Sequence, residues 1–131
     1  ANRLLGDGSN LTGISSTSRY SLNELSASIA GTALSVNRTN VITNAPDVGV
    51  QKLLLPNTGS GAGEIEAGEI IKIKLQATAN ENNYITIEGP ASANPRYRID
   101  GQLQLELMSP SASLDLIYLG AVNSTGSFAI F

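Results

Sequence analysis

The sequence predicts an all-β protein: an antiparallel β-sandwich or barrel, jelly-roll-like, with an extended N-terminal arm. Three observations lead there. Beyond residue 47, apolar residues alternate with polar ones at period two in segment after segment. Gly, Pro, Asn and Asp collect between those segments, where tight turns need them. No segment of that part carries a strong helical stripe. The 131 residues suit one domain, which can bury roughly two thirds of the surface its unfolded chain exposes. Hydrophobic residues, at 41%, are numerous enough for a core.

The chain divides into an N-terminal arm and polar linker region, residues 1–46, and a β domain, residues 47–131. The first part is rich in Ser, Thr, Asn and Gly and only weakly periodic. Its run Leu5-Gly6-Asp7-Gly8-Ser9-Asn10-Leu11-Thr12-Gly13-Ile14 spaces single apolar residues with turn formers and has too little apolar surface for a core of its own. Such a segment needs another surface to order it. A short helix is expected over 21–30, with a loop as the alternative. Ser21-Leu22-Asn23-Glu24 matches a capping box, Leu22, Leu25 and Ile29 share a helical stripe, and Gly31 would stop it. Ala33 to Ile42 alternates loosely, as a strand would.

The β domain reads more clearly. Val48 to Leu55 is a strand stopped by Pro56-Asn57-Thr58-Gly59, and a Gly/Ser loop follows. Ile71, Ile73 and Leu75 alternate with Lys72 and Lys74; Ile85 and Ile87 alternate with Thr86 and Glu88. Arg96 to Ile99 leads into Asp100-Gly101, a hairpin-turn signal, before Leu103, Leu105 and Leu107. Leu114, Leu116 and Tyr118 alternate with Asp115, Ile117 and Leu119, so this strand is apolar on both faces. Gly126 to Phe131 closes the chain with Phe128 and Ile130 on one face. A two-sided apolar strand fits either a central place in a sheet or a contact with a neighbouring subunit.

Charged residues make up only 15%, against ~25% in an average soluble protein. A neutral polar surface fits a protein that touches its copies or another large surface. The net charge is −3, and the cations are scattered apart from Lys72/Lys74 and Arg96/Arg98. No basic patch is interleaved with aromatics, so no nucleic-acid partner is expected. No apolar run approaches membrane-helix length, and no secretory leader pattern is present, so no membrane partner is expected either. With no Cys and no His, the chain lacks a thiolate nucleophile, the commonest general base and the commonest metal ligand.

Glu64, Glu66 and Glu69 cluster among glycines, where paired carboxylates could cleave a glycosidic bond or hold Ca²⁺. Sugar cleavage also needs a groove of stacking aromatics. Four Tyr, two Phe and no Trp supply little of that, so a solvated acidic turn is the stronger reading. Asp7-Gly8-Ser9-Asn10 lacks the remaining ligands of an EF-hand, and Gly59-Ser60-Gly61-Ala62-Gly63 lacks the Lys of a phosphate loop. The expectation is a protein that is not an enzyme, with no catalytic residue, metal or cofactor.

The run from Leu5 to Ile14 resembles a short motif common in bacteriophage fibre and other virion proteins. From about residue 53 to 131 the order of pieces is similar to small β domains of phage fibres and capsid appendages. Those pieces are Leu55-Pro56, a Gly-rich loop, Ile70-Ile71-Lys72-Ile73, Tyr84-Ile85-Thr86-Ile87-Glu88-Gly89, Asp100-Gly101 and Leu116-Ile117-Tyr118-Leu119-Gly120. Where such domains usually end on a Trp segment, this chain has Gly126-Ser127-Phe128-Ala129-Ile130-Phe131. The resemblance implies a homotrimeric capsid decoration (cement) protein on the surface of a virion, bound to the major capsid protein. A tail or head fibre domain that binds a host receptor is the alternative. Candidate partner-binding residues are Leu4, Leu5, Leu11 and Ile14 in the arm and Ile117, Leu119 and Phe131 in the β domain. A twenty-residue arm, fully extended, spans roughly 65 Å, enough to cross a subunit boundary.

Overall fold

A computed structural model of the chain describes residues 21–43, 49–76, 79, 82–109 and 111–131. Among them every regular element is a strand, and the fold is all-β. The strands are β1 (Ser21–Leu25), β2 (Thr32–Ala33), β3 (Arg38–Ile42), β4 (Gln51–Leu54), β5 (Ile70–Leu75), β6 (Ile85–Glu88), β7 (Arg98–Ile99), β8 (Gln104–Leu107), β9 (Ser113–Val122) and β10 (Thr125–Ile130). They form a six-stranded sheet in the order β1-β3-β5-β9-β10-β7 and a four-stranded sheet in the order β2-β4-β6-β8. Both sheets are open, so the barrel alternative is not what forms.

The short helix expected over 21–30 is absent. Ser21 to Leu25 is a strand, paired in parallel with β3 from Ser21↔Arg38 to Leu25↔Ile42. A capping box contributes about 1 kcal/mol, and the same residues here gain a full ladder of backbone bonds. Leu25 packs against the core, while Leu22 stays 62% exposed. The segment 21–43, grouped by its polar composition with the arm, supplies β1, β2 and β3 to the two sheets. The single strand expected across 33–42 is two. Residues 34–37 turn the chain between β2 and β3, with Asn37 at a φ of 55°.

The expected antiparallel pairing holds for β5–β9, β9–β10 and β6–β8. The remaining ladders are parallel: β1–β3, β3–β5, β2–β4, β4–β6 and β7–β10. The reason lies in the connections. From β1 to β6 each strand is followed by one in the opposite sheet, so β1–β3, β3–β5, β2–β4 and β4–β6 each join strands two apart in the chain that run the same way. The first six strands thus run as successive coils. Asp100 and Gly101, at φ of 47° and 82°, make the tight turn predicted there, closed by bonds between Ile99 and Gln102. The strands beyond that turn separate into different sheets rather than pairing as a hairpin. The true hairpin is β9–β10, turned at Asn123 and Ser124, both at positive φ.

The period-two reading of the core holds for β5, β6 and β9, whereas Leu103 and Ile130, aligned with Leu107 and Phe128, are 51% and 41% exposed. Ile71, Ile73 and Leu75 from the larger sheet and Leu53, Ile85 and Ile87 from the smaller one share one buried cluster with Ile42, Leu116 and Phe128. Ile65, in the loop before β5, is fully buried in it as well. Of the buried polar side chains, Asn40, Gln51 and Thr86, the first is the most enclosed. Asn40 is 0% exposed, and its carboxamide is fully used. Its Oδ1 accepts from the Ser35 N–H at 2.9 Å and from Asn23 Nδ2 at 3.0 Å. Its Nδ2 donates to the carbonyls of Ser35 and Lys72 at 3.0 Å and of Arg38 at 3.3 Å. One amide therefore ties β1, β3 and β5 together and closes the turn ahead of β3.

At the other end of the larger sheet, Tyr97 lies between two glycines. A Cβ on Gly126 would stand 2.8 Å from Tyr97 Cδ1, and one on Gly89 would stand 3.2 Å from the same side chain. The Tyr97 hydroxyl accepts the Thr58 N–H at 3.2 Å, and its ring leans on Phe128, which in turn meets Tyr118 at a centroid distance of 4.9 Å.

Two stability predictions result. Asn40→Ala strands the Ser35 backbone groups and should lower unfolding free energy by about 2–4 kcal/mol in chemical denaturation. Gly126→Ala forces its new methyl against the Tyr97 ring and should cost about 1–3 kcal/mol, whereas alanine at Gly49, where nothing lies within 4 Å, should cost backbone strain alone.

Candidate functional site

The feature that the core does not account for is the outward face of the larger sheet along β9. Leu116 and Tyr118 point inward, so Ile117 and Leu119 point outward. Ile117 pairs with Ile70 of β5 on one side and with Ala129 of β10 on the other. The Phe131 N–H donates to the Asp115 carbonyl at 3.1 Å, which continues the β9–β10 register by one residue. Phe131 thereby falls on the same face as Ala129, diagonal to Ile117, within reach of a large side chain. The result is a strip of Ile70, Ile117, Ala129, Leu119 and Phe131. Ile117 is half-buried, but Leu119 is 55% and Phe131 63% exposed. An ion pair between Lys72 and Asp115, at 2.8 Å, borders it on the same face.

Three of the predicted partner-binding residues thus lie along one face, with Phe131 opposite Asp115 at one end, Leu119 at the other and Ile117 between them. Leu4, Leu5, Leu11 and Ile14 lie outside the described residues. Sequence reasoning missed Ile70 and Ala129. The signal for Ile70 was its parity, which it shares with Lys72 and Lys74 and not with Ile71 and Ile73. Ala129 needed the β9–β10 register, which has a shift between Ser127 and Phe128.

The outward face of the smaller sheet is different in kind. Glu88 meets Arg96 at 3.1 Å and Lys52 at 3.9 Å, and Thr86 donates to Glu88 at 3.4 Å. Lys52, Thr86 and Glu106 stand in one cross-strand row. This face pairs Lys52 and Arg96 with Glu88.

The acidic loop acts as a set of turn clamps. Glu64 Oε1 accepts the Gly61 N–H at 2.9 Å, and Glu69 Oε1 accepts the Glu66 N–H at 2.8 Å. Glu69 Oε2 also takes the Asn37 amide at 2.7 Å. A Cβ on Gly59 would come within 2.3 Å of the Glu64 carboxylate, so a larger residue there would push that carboxylate off the Gly61 N–H. The carboxylates serve separate turns and do not converge. Among the described residues no cluster of acids able to hold a metal ion occurs and no cavity opens.

Comparison with protein-family models, curated proteins and solved structures finds no match to this chain.

Replacing Leu119 with Ser should leave the melting transition within a degree or two of the parent, because its side chain is already mostly in water. Replacing its inward neighbour Leu116 with Ala should cost about 2–5 kcal/mol in the same measurement.

Proposed function

We propose that the chain is a capsid decoration (cement) protein of a phage-like virion, acting as a homotrimer on the outside of the shell and bound to the major capsid protein. The two sheets, enclosing one core, form a sandwich-like head in this reading. The exposed strip Ile117–Leu119–Phe131 on one outer face carries the proposal, since a chain that stays alone gains nothing from leaving Leu and Phe in water. Copies that bury this strip recover roughly 1.5–3 kcal/mol for each large side chain fully covered. The arm, with Leu4, Leu5, Leu11 and Ile14 as anchors, lies across shell subunits. Three arms on one trimer act together, so weak anchors add to firm attachment. The low charge content and the resemblance of residues 5–14 and 53–131 to virion proteins support the same reading. No catalytic step, cofactor or metal enters it.

A fibre domain that binds a host receptor is the second reading. The coiling of β1 to β6 favours it, because stacked coils extend along one axis. Stoichiometric binding of the purified chain to empty shells supports decoration; binding to host cells and not to shells supports the fibre.

Deleting residues 2–14 should abolish shell binding while the melting transition is kept. Unchanged binding would place the contact on the β domain. The combined change Leu119→Asp and Phe131→Ser should move the sedimenting species from trimer to monomer at equal concentration.

A further inference from the structure

The outer face of the β9–β10 hairpin carries no charge. From Leu116 to Phe131 the chain has no Asp, Glu, Lys or Arg side chain. The outward residues of β10, Thr125, Ser127 and Ala129, are small and half-buried and continue the face of Ile117 and Leu119. A contact between copies related by a rotation axis sets residues close to their own counterparts, so a charge there would repel itself. A partner of another kind imposes no such rule and is met by charges opposite to its own. An uncharged strip therefore points to a second copy of this chain as its occupant.

Charges stand at the two flanks of the strip. On the β7 side, Arg98 pairs with Ser127 in the ladder; its neighbour Ile99 is buried, so Arg98 faces outward, where it is exposed. On the β5 side, the Gly68 N–H donates to the Tyr118 carbonyl at 2.8 Å, which carries the line of β5 back beyond its first residue. Ala67 lies on that line, 3.8 Å from where a Cβ on Gly120 would stand, and Glu66 precedes it, exposed. Ser127 pairs with Gly120. Arg98, Ser127, Gly120 and Ala67 thus form one row across the face, with a cation at one end and Glu66 beside the other. Three strand spacings separate the ends, about 14 Å. Nearby charges are engaged within the chain: Lys72 meets Asp115 at 2.8 Å, and Asp100 Oδ1 accepts the Ile130 N–H at 3.4 Å. Arg98 and Glu66 form no ion pair among the described residues.

This layout has a direction. Where the axis runs parallel to β9, the copies point the same way, and the β7 flank of each meets the β5 flank of the next, cation to anion. Where the axis crosses the strands, the copies point opposite ways and each flank meets its own kind, like charge to like. We infer that copies of this chain pack their uncharged strips about an axis parallel to β9, with Arg98 of each copy against Glu66 of the next. The inference rests on the reading that copies bury the Ile117–Leu119–Phe131 strip and adds the pair that sets their direction. Ser21 of every copy then stands at one level along the axis, so all arms start from the same level, as attachment to one shell requires.

Arg98→Glu or Glu66→Arg alone should weaken self-association several-fold in sedimentation, and the two together in one chain should restore it. Both side chains are exposed, so an unchanged melting transition is the folding control. Loss without restoration overturns the pair. Cysteine linkage is a second measure, since the chain has no Cys. In a chain carrying Arg98→Cys and Glu66→Cys the two sites are too far apart to close within one copy. Mild oxidation without shells should therefore link copies to one another, well above the yield from Arg98→Cys alone. A higher yield from Arg98→Cys alone means copies that point opposite ways and overturns the inference. A parent chain that stays monomeric at every concentration yet binds shells gives the strip to the shell, which overturns the inference and leaves the decoration reading standing. An oligomer that Leu119→Asp with Phe131→Ser disrupts, but neither charge change does, overturns the pair alone.

Discussion

The fold depends on one buried amide. Parallel coils that pass between two sheets must turn at each crossing, and each turn brings backbone groups toward the core. Asn40 satisfies the N–H and C=O of Ser35 and at the same time bonds the Lys72 carbonyl and the Asn23 side chain. An aliphatic residue there would bury the same volume and leave those groups unpaired, at a cost of roughly 1–3 kcal/mol for each. The register of β1 on β3 and of β3 on β5 is therefore specified by polar as well as apolar contacts. A one-residue slip would put Val41 where the amide must be.

From that register the rest of the larger sheet takes its place. β5 lies between β3 and β9, which puts β9 in the interior of the sheet, with one face to the core and one to the outside. The inner face is finished by the Tyr97, Phe128 and Tyr118 rings, seated where Gly89 and Gly126 leave room. The outer face keeps Ile117 and Leu119, and the last bond of the sheet, from Phe131 to Asp115, brings an aromatic ring to the same face. The exposure of this apolar face is thus a consequence of strand order.

The two outer faces divide the labour. Lys52, Glu88 and Arg96 neutralise one another across the smaller sheet, a surface suited to water. The larger sheet turns Ile117 and Leu119 outward along β9.

The sequence alone determined the class of fold, the inward residues of β5, β6 and β9, and the two-sided character of β9. Period-two alternation is a local property, and burial on one face enforces it strand by strand. It also picked out Ile117, Leu119 and Phe131, because apolar residues on the wrong parity are visible without coordinates. What it did not contain was the partner of each strand. Alternation is the same for parallel and antiparallel neighbours, so the coiling of β1 to β6 could not be read from it. Ser21 to Leu25 matched a helix signal worth about 1 kcal/mol, and the ladder to β3 outweighed it. Asn23 fell in the expected helix and Asn40 in a loosely alternating strand, and neither was marked for burial until tertiary structure set one above the other, since an amide is favourable in a core only when its partners are brought to it from distant parts of the chain.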